Sequence, residues 1–177
     1  YYPMMPLRDF NPSTNSLIFY FDEMTHDVVN YIPDQRAPQF IREVAAKAGS
    51  NWCEIDFRSY QSIYDDNIYI VGDSILPSPK MPKSGHMANS QAKVCASAIV
   101  RNLSGKDANQ NPIVNNTCYS FVSDDEVIHV AAVYKYNEKK KLMEVIPESP
   151  GVSNKASKIE GIYAEGWARG IWHDMFS

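Results

Sequence analysis

The dipeptide Gly72-Asp73 follows an apolar run, residues 67–71, and could place a carboxylate in a binding site. The run is rich in β-branched residues and predicts a buried strand that delivers Asp73 at its carboxyl end. Glycine lets a ligand approach the backbone closely, and aspartate accepts hydrogen bonds from sugar-like hydroxyl groups. Because buried strands often end in a Gly-Asp turn without a function, the dipeptide alone indicates only a candidate ligand site.

The segment Lys83-Ser84-Gly85 leads into the best predicted helix of the chain. The first turn of a helix has unpaired backbone N–H groups and a positive dipole, so it can stabilise negative charge on a bound group. Lys83 would add a positive charge nearby. The alternative is structural: Ser84 would cap the helix and Lys83 would be solvated, which is the commoner role of such residues.

Three cysteines, Cys53, Cys95 and Cys118, carry the thiol chemistry of the chain. Their number is odd, so at most one disulfide can form among them and one thiol is left over. None belongs to a C-x-x-C pair, which argues against a structural zinc site, and we predict no metal site. All three could also be small buried hydrophobic residues.

The bulk composition excludes some functional classes. The chain has 177 residues, of which 44% are hydrophobic, and a formal net charge of −4. The acidic balance argues against a nucleic-acid-binding protein, which would have a basic face. No apolar run approaches the roughly 20 residues of a membrane span. The start, Tyr1-Tyr2-Pro3, has no visible export signal and suggests the middle of a longer protein.

Composition and periodicity predict an α+β fold. The first two strands should form a β-hairpin, and the proline-rich residues 74–83 should not be helical. The predicted order is a loop at 1–15, strands at 16–21 and 26–32 joined by a turn at 22–25, a helix at 40–48, strands at 54–60 and 67–71, a helix at 88–103, strands at 118–122, 128–136 and 142–146, a loop at 147–157 and a helix at 159–176.

The two long predicted helices differ in character. The helix at 88–103 should bury an apolar face and end before Gly105. That predicted face comprises Ala92, Cys95, Ala96, Ile99, Val100 and Leu103. The terminal helix is rich in aromatic residues, which would suit an interface or a core equally well. These aromatic residues are Tyr163, Trp167, Trp172 and Phe176.

The polar segment 105–115 is the predicted domain boundary. It divides the chain into residues 1–104, which contain the Gly72-Asp73 strand and the helix after it, and residues 105–177. The second part should form a small antiparallel sheet backed by the terminal helix.

Several collinear motifs from about Asn30 onward resemble the flavoprotein subunit of flavocytochrome c sulfide dehydrogenase. They are Ile32-Pro33-x-Gln35-Arg36-Ala37, Trp52-Cys53-x-x-Asp56, Gly72-Asp73-Ser74, Pro79-Lys80-Met81-Pro82-Lys83-Ser84-Gly85, Ala88-Asn89-Ser90-Gln91-x-Lys93-Val94, Asn116-Thr117-Cys118-Tyr119-Ser120 and Tyr163-Ala164-x-x-Trp167 with His173-Asp174-x-Phe176.

The resemblance implies an FAD-dependent enzyme of the pyridine-nucleotide-disulfide oxidoreductase superfamily. Such an enzyme oxidises sulfide, passes electrons to a c-type cytochrome subunit and is periplasmic. The first domain would be the remnant of an FAD-binding α/β domain. Gly72, Asp73, Lys83, Ser84 and Gly85 would then be cofactor-binding residues.

The resemblance also assigns roles to the cysteines. Cys118 falls on a cysteine of the family's redox-active disulfide and is the predicted catalytic residue. Cys53 falls on a structural position, and Cys95 replaces a small residue and should pack in the core. His86 stands where the family has an aromatic residue, so we expect a core or flavin-edge role rather than proton transfer.

Other parts of the family pattern are missing from the sequence. There is no G-x-G-x-x-G, so the ADP half of FAD has no recognisable site. By resemblance, the cysteine that tethers the flavin and the partner of Cys118 belong to an N-terminal FAD-binding portion. We therefore expect the isolated chain to be inactive. Two alternatives are a non-catalytic flavin-facing or subunit-docking module, and a related FAD disulfide oxidoreductase with another electron acceptor.

Overall fold

The computed structural model describes residues 5–177. The chain divides into two compact units, one ending at Gln35 and the other comprising residues 36–177. No helix among the described residues is long and apolar enough to cross a bilayer. The predicted α+β class is confirmed, because three helices accompany antiparallel sheets.

The first unit is a three-stranded antiparallel sheet in the order β1-β2-β3. Its strands are β1 (Leu7–Asn11), β2 (Ser16–Phe19) and β3 (Glu23–Thr25). The buried Ser16 side chain pairs with Thr25, with 3.0 Å between the two hydroxyl oxygens, and this pairing holds β3 in register with β2.

The predicted hairpin is therefore present, but with different residues. The turn predicted at 22–25 is wrong, because the chain already reverses where the Phe19 N–H donates to the Asp22 carbonyl at 2.8 Å. The strand predicted at 26–32 is also wrong, and part of the predicted N-terminal loop is β1. Residues 1–4 of that loop lie outside the described residues.

The second unit begins with short elements. They are α1 (Gln39–Ala45), β4 (Ile55–Asp56), β5 (Gln61–Ser62) and a 3₁₀ turn (Gly72–Ser74). The predicted first helix is confirmed, although it ends at Ala45. Of the strand predicted at 54–60, only β4 is extended, because a turn at 57–60 places Tyr60 at φ +62°.

The predicted strand at 67–71 is wrong. Only a single bridge pairs this segment, between Gln61 and Tyr69, so no ladder forms on either side. Ile70 is nevertheless buried, at 5% exposure, which explains the apolar pattern without a strand. Asp73 consequently lies in the 3₁₀ turn and not at the end of a strand.

The longest elements position the candidate site. Helix α2 (Gly85–Leu103) begins after Ser84, whose Oγ accepts the Met87 N–H at 3.0 Å, so the predicted cap is confirmed. Its start lies three residues before the predicted one. A left-handed glycine, Gly105 at φ +70°, follows its end.

The buried face of α2 differs from the predicted one. It consists of Met87, Gln91, Cys95 and Ala98. Two residues of the predicted face, Val100 and Leu103, are 64% and 84% exposed. The predicted face is therefore rotated by about a third of a turn from the observed one, although the two share Cys95, and the polar Gln91 lies on the core side.

The remaining elements form an antiparallel sheet with a helix packed on it. The strands β6 (Ile113–Phe121), β7 (Val127–Asn137) and β8 (Leu142–Val145) are neighbours in that order, and β9 (Gly151–Val152) pairs with β7. Helix α3 (Lys158–Phe176) follows and packs on β7. These predicted strands and the terminal helix are confirmed, although β6 begins inside the predicted linker. The domain boundary at 105 stays a prediction.

Candidate functional site

A cavity of about 690 Å³ opens between the first turn of α2, the middle of β6 and the C-terminal half of α3. Three predicted site residues, Ser84, Gly85 and Cys118, line it together although they are far apart in the sequence. The other lining residues are His86, Ala88, Asn89, Ala92, Thr117, Tyr119, Trp167, Ile171, Asp174 and Met175. A second, polar depression of about 540 Å³ contains none of the predicted site residues.

The side chains of α2 satisfy the free edge of β6. The Thr117 N–H donates to His86 Nδ1 at 2.8 Å, and the Asn115 N–H donates to Ser90 Oγ at 3.1 Å. An edge strand otherwise presents such N–H groups to solvent or to another chain. These bonds hold the start of α2 beside the residues of β6 that line the cavity.

The first turn of α2 offers two unpaired donors at the cavity. Ser84 Oγ accepts the Met87 N–H, whereas within residues 5–177 no acceptor is hydrogen-bonded to the N–H of Gly85 or His86. Unpaired N–H groups and the helix dipole together favour a negatively charged or strongly accepting ligand atom. The predicted ligand site at this helix end is therefore geometrically available.

One aromatic wall of the cavity is formed by His86 and Trp167. Their rings meet edge to face with centroids 5.5 Å apart, and the Tyr119 ring lies 5.6 Å from Trp167. The Trp167 indole N–H donates to His86 Nδ1 at 3.3 Å, and the Thr117 N–H donates to the same atom. Nδ1 is therefore an acceptor, and the proton of the neutral imidazole resides on Nε2.

Burial lowers the pKa of His86, and the positive charge of Lys93 lowers it further. Because both N–H donors point at Nδ1, a second proton on the ring would displace them. His86 is therefore held neutral, and its role at the flavin edge stays a prediction.

Cys118 is the accessible cysteine of the chain. It is half-buried and lines the cavity, whereas Cys53 and Cys95 lie in the core at 0% and 7% exposure. Burial raises the pKa of both core thiols, which makes them poor nucleophiles at neutral pH. Cys53 and Cys95 therefore pack in the core as expected, and Cys118 is the thiol that a ligand in the cavity can reach.

Gly72 supports the site from behind. Its φ of +73° favours glycine, and a Cβ at this position would lie 3.2 Å from the Cβ of the cavity residue Ala88. Its N–H donates to Gln91 Oε1 at 2.7 Å. The structure therefore gives Gly72 a packing role next to α2. Asp73 is exposed and does not line the cavity.

Lys83 binds the turn that contains Asp73. Its ammonium group donates to the carbonyl oxygens of Asp73 at 2.5 Å and Ile75 at 2.8 Å, and it lies 3.6 Å from the centre of the Trp52 ring. Burial lowers the pKa of Lys83. This side chain is neither simply solvated nor part of the cavity lining, and the cofactor-binding roles of Lys83 and Asp73 stay predictions.

The structure brings to the site two residues, Asn116 and Trp167, to which the sequence analysis gave no role. Asn116 precedes Cys118 by two positions in a strand, and this spacing alone predicts that both side chains share a face. Trp167 carried no signal beyond its motif, because four aromatic residues of α3 were equivalent in sequence. Three of them, Tyr163, Trp172 and Phe176, are 57%, 61% and 79% exposed.

The cavity lies on an antiparallel sheet and two helices. A family model described as "Flavocytochrome c sulphide dehydrogenase, flavin-binding" matches residues 110–176. The match confirms the resemblance found in the sequence for this part of the chain. The matched residues include β6 with Cys118 and α3 with Trp167, while the start of α2 lies outside them.

The cavity residues fit a flavin. A flavin ring is flat and mostly apolar, with accepting oxygen and nitrogen atoms at its pyrimidine end. The aromatic wall of His86 and Trp167 suits the ring, and the unpaired N–H groups of Gly85 and His86 suit the accepting atoms. The residues that would hold the group are thus present on three separate elements.

Proposed function

We propose that this chain supplies one wall of the flavin site, together with the redox-active cysteine, in an FAD-dependent sulfide dehydrogenase. The enzyme oxidises sulfide and passes the electrons through FAD to a c-type cytochrome. The observation that carries the proposal is that Cys118 lines the same cavity as the unpaired N–H groups of α2. The family match to residues 110–176 supports the flavin and the oxidoreductase class.

Cys118 is the proposed redox-active sulfur of the chain. In this account it forms a disulfide with a cysteine of the N-terminal FAD-binding portion. Hydrosulfide attacks one sulfur of that bond, the S–S bond breaks, and its electron pair leaves on the other sulfur as a thiolate. The other product is a persulfide, and the disulfide re-forms when one sulfur atom leaves at the zero-valent level with loss of a proton and two electrons. FAD held at this cavity would supply the two-electron acceptor that passes these electrons on to the cytochrome. The chain orients Cys118, excludes water with Trp167 and supplies N–H donors where negative charge develops.

The partners follow from the same proposal. They are the N-terminal FAD-binding portion, a c-type cytochrome and sulfide, and a periplasmic location suits this chemistry and the family. The exposed aromatic residues of α3 favour a second candidate, a subunit-docking module, because Trp and Tyr are enriched at protein interfaces. In that alternative the module only docks a subunit and faces the flavin, without a role for Cys118.

The experiment is co-expression of the chain with the N-terminal FAD-binding portion of a flavocytochrome c sulphide dehydrogenase. The purified complex is tested for a flavin absorbance band that survives desalting and for sulfide-dependent reduction of a c-type cytochrome. We expect both, and we expect Cys118→Ser to abolish the reduction while the flavin band remains. Cys95→Ala is the matched control, because Cys95 is buried away from the cavity and should be dispensable.

The outcomes separate the candidates. A retained flavin band with full activity in Cys118→Ser contradicts the redox role and favours the docking module. A folded complex without flavin contradicts the flavin-site proposal as a whole. A sulfide-reduced flavin that does not reduce the cytochrome favours the related oxidoreductase with another acceptor.

A further inference from the structure

Asn116 lies against the sulfur of Cys118 on the same face of β6. The two residues are two apart in an extended strand, and Asn116 Nδ2 lies 3.2 Å from Cys118 Sγ. A donor at this distance from sulfur makes the sulfur a hydrogen-bond acceptor. A thiolate accepts hydrogen bonds far better than a thiol does, because it carries a full negative charge.

The orientation of this amide is set by Ser84. Ser84 Oγ already accepts the Met87 N–H at 3.0 Å as the cap of α2. Its hydroxyl proton is therefore free to donate, and it donates to Asn116 Oδ1. Because the oxygen of the amide is fixed on Ser84, the NH₂ group must face Cys118. A directed relay thus runs from the first turn of α2 through Ser84 and Asn116 to the sulfur.

A buried amide at this position is otherwise costly. Asn116 is only 5% exposed, and it lies opposite Ala132 on β7. A buried polar group that loses its partners costs about 1–3 kcal/mol, so an apolar residue here would be the simpler choice for stability alone. Asn116 is satisfied because it has both Ser84 and Cys118 as partners.

The titratable groups around Cys118 have other partners or carry no charge, so Asn116 is the donor to the Cys118 sulfur. His86 on α2 is held neutral, and Asp174 on α3 is paired with Lys93 at 2.5 Å. Tyr134 on β7 donates its hydroxyl to the Lys80 carbonyl at 2.8 Å. Burial raises the pKa of Tyr134, and negative charge on Cys118 raises it further.

We propose that Asn116 is a positioning residue that, through the relay from Ser84, holds the Cys118 sulfur as an acceptor and stabilises its thiolate. The role rests on the proposed redox function of Cys118, because the thiolate is the form that attacks and leaves in disulfide exchange. Hydrogen bonds within such a chain polarise one another, so both links contribute.

The test measures the reactivity of Cys118 in the whole chain without flavin or sulfide. The reduced protein is alkylated with iodoacetamide from about pH 5 to 10, a range that brackets thiol titration, and the Cys118 peptide is followed by mass spectrometry. The variants are Asn116→Ala and the isosteric Asn116→Asp, which keeps the acceptor for Ser84 but removes the donor to sulfur. Asn115→Ala is the matched control, because the Asn115 side chain bonds Ser90 and does not touch Cys118.

We expect both Asn116 variants to alkylate about three- to tenfold more slowly at neutral pH, with the midpoint of the pH–rate profile moved upward. The control should leave rate and midpoint unchanged. If Asn116 served only in packing, its replacement by alanine would expose the Cys118 thiol and speed alkylation without moving the midpoint of the pH–rate profile. If Asn116→Ala fails to fold, which circular dichroism detects, Asn116→Asp carries the test.

A second link is tested with Ser84→Ala. We expect a smaller shift in the same direction, and no further shift when Ser84→Ala is added to Asn116→Ala. Unchanged profiles in both Asn116 variants would overturn the proposal. Because this test uses neither flavin nor sulfide, it says nothing about the sulfide-dependent activity of the flavin complex. The relay and the proposed function can therefore fail independently.

Discussion

Replacing Gln91 by leucine tests how the turn behind the cavity is fixed to α2. Gln91 is 2% exposed, its Oε1 accepts the Gly72 N–H at 2.7 Å, and its Nε2 donates to Met81 Sδ at 3.7 Å. Leucine is of similar size but accepts no hydrogen bond, so the Gly72 N–H would lose its partner.

The magnitude follows from the two terms that change. An unsatisfied backbone donor costs about 1–3 kcal/mol. The apolar leucine side chain returns up to about 1 kcal/mol of burial. With central values of about 2 kcal/mol for the cost and about 0.5 kcal/mol for the return, the net loss in the free energy of unfolding is about 1.5 kcal/mol, which for a chain of this length lowers the melting temperature by about 3–6 °C.

The assay is urea denaturation followed by circular dichroism, with parent and variant compared at equal m-value. Ser97→Leu is the matched control, because Ser97 lies on the exposed side of the same helix. The control should change stability by less than about 0.5 kcal/mol. If Gln91→Leu is as stable as the parent, the Gly72–Gln91 bond does not secure this turn and the reasoning is refuted.

Two further predictions concern stability and pH. The Tyr60 hydroxyl is fully buried and has no hydrogen-bond partner among residues 5–177. Tyr60→Phe should therefore raise the free energy of unfolding by about 1 kcal/mol in the same assay. A destabilised variant would mean that the hydroxyl has a partner in solution. Burial lowers the pKa of His86, so its contribution to stability is complete above the unfolded value of about 6.5 and is lost as the pH falls through the folded value. Denaturation curves measured from neutral to mildly acidic pH should therefore show a flatter loss of stability in His86→Phe than in the parent, and parallel curves would argue against this assignment.

Local patterns predicted the C-terminal part of the fold well. The strands β7 and β8 lie where composition predicted them and pair with sequence neighbours, the second half of β6 was predicted as well, and Ser84 carries the side chain that a helix cap requires. These features depend on a few adjacent residues, and the sequence contains all of them.

The errors lie where tertiary partners decide. The apolar residues before Gly72 are buried or half-buried, but a single bridge to Gln61 is their only strand pairing among the described residues, so β-branched composition alone did not predict their conformation. On α2, the core face includes Gln91, whose bond to the Gly72 N–H is a contact that no helical periodicity contains. The cavity combines Gly85, Cys118 and Trp167, and only the folded chain reveals that these residues are neighbours.

The most direct test of the central claim is nuclear magnetic resonance mapping of flavin binding. Backbone and indole N–H signals of the chain are followed while FMN, which shares the ring system and ribityl chain of FAD, is added. We predict saturable shifts at Gly85, His86, Cys118 and the Trp167 indole, which line the cavity. Saturable shifts confined to the polar depression around Arg58 and Lys106 would contradict the claim that this cavity faces the flavin.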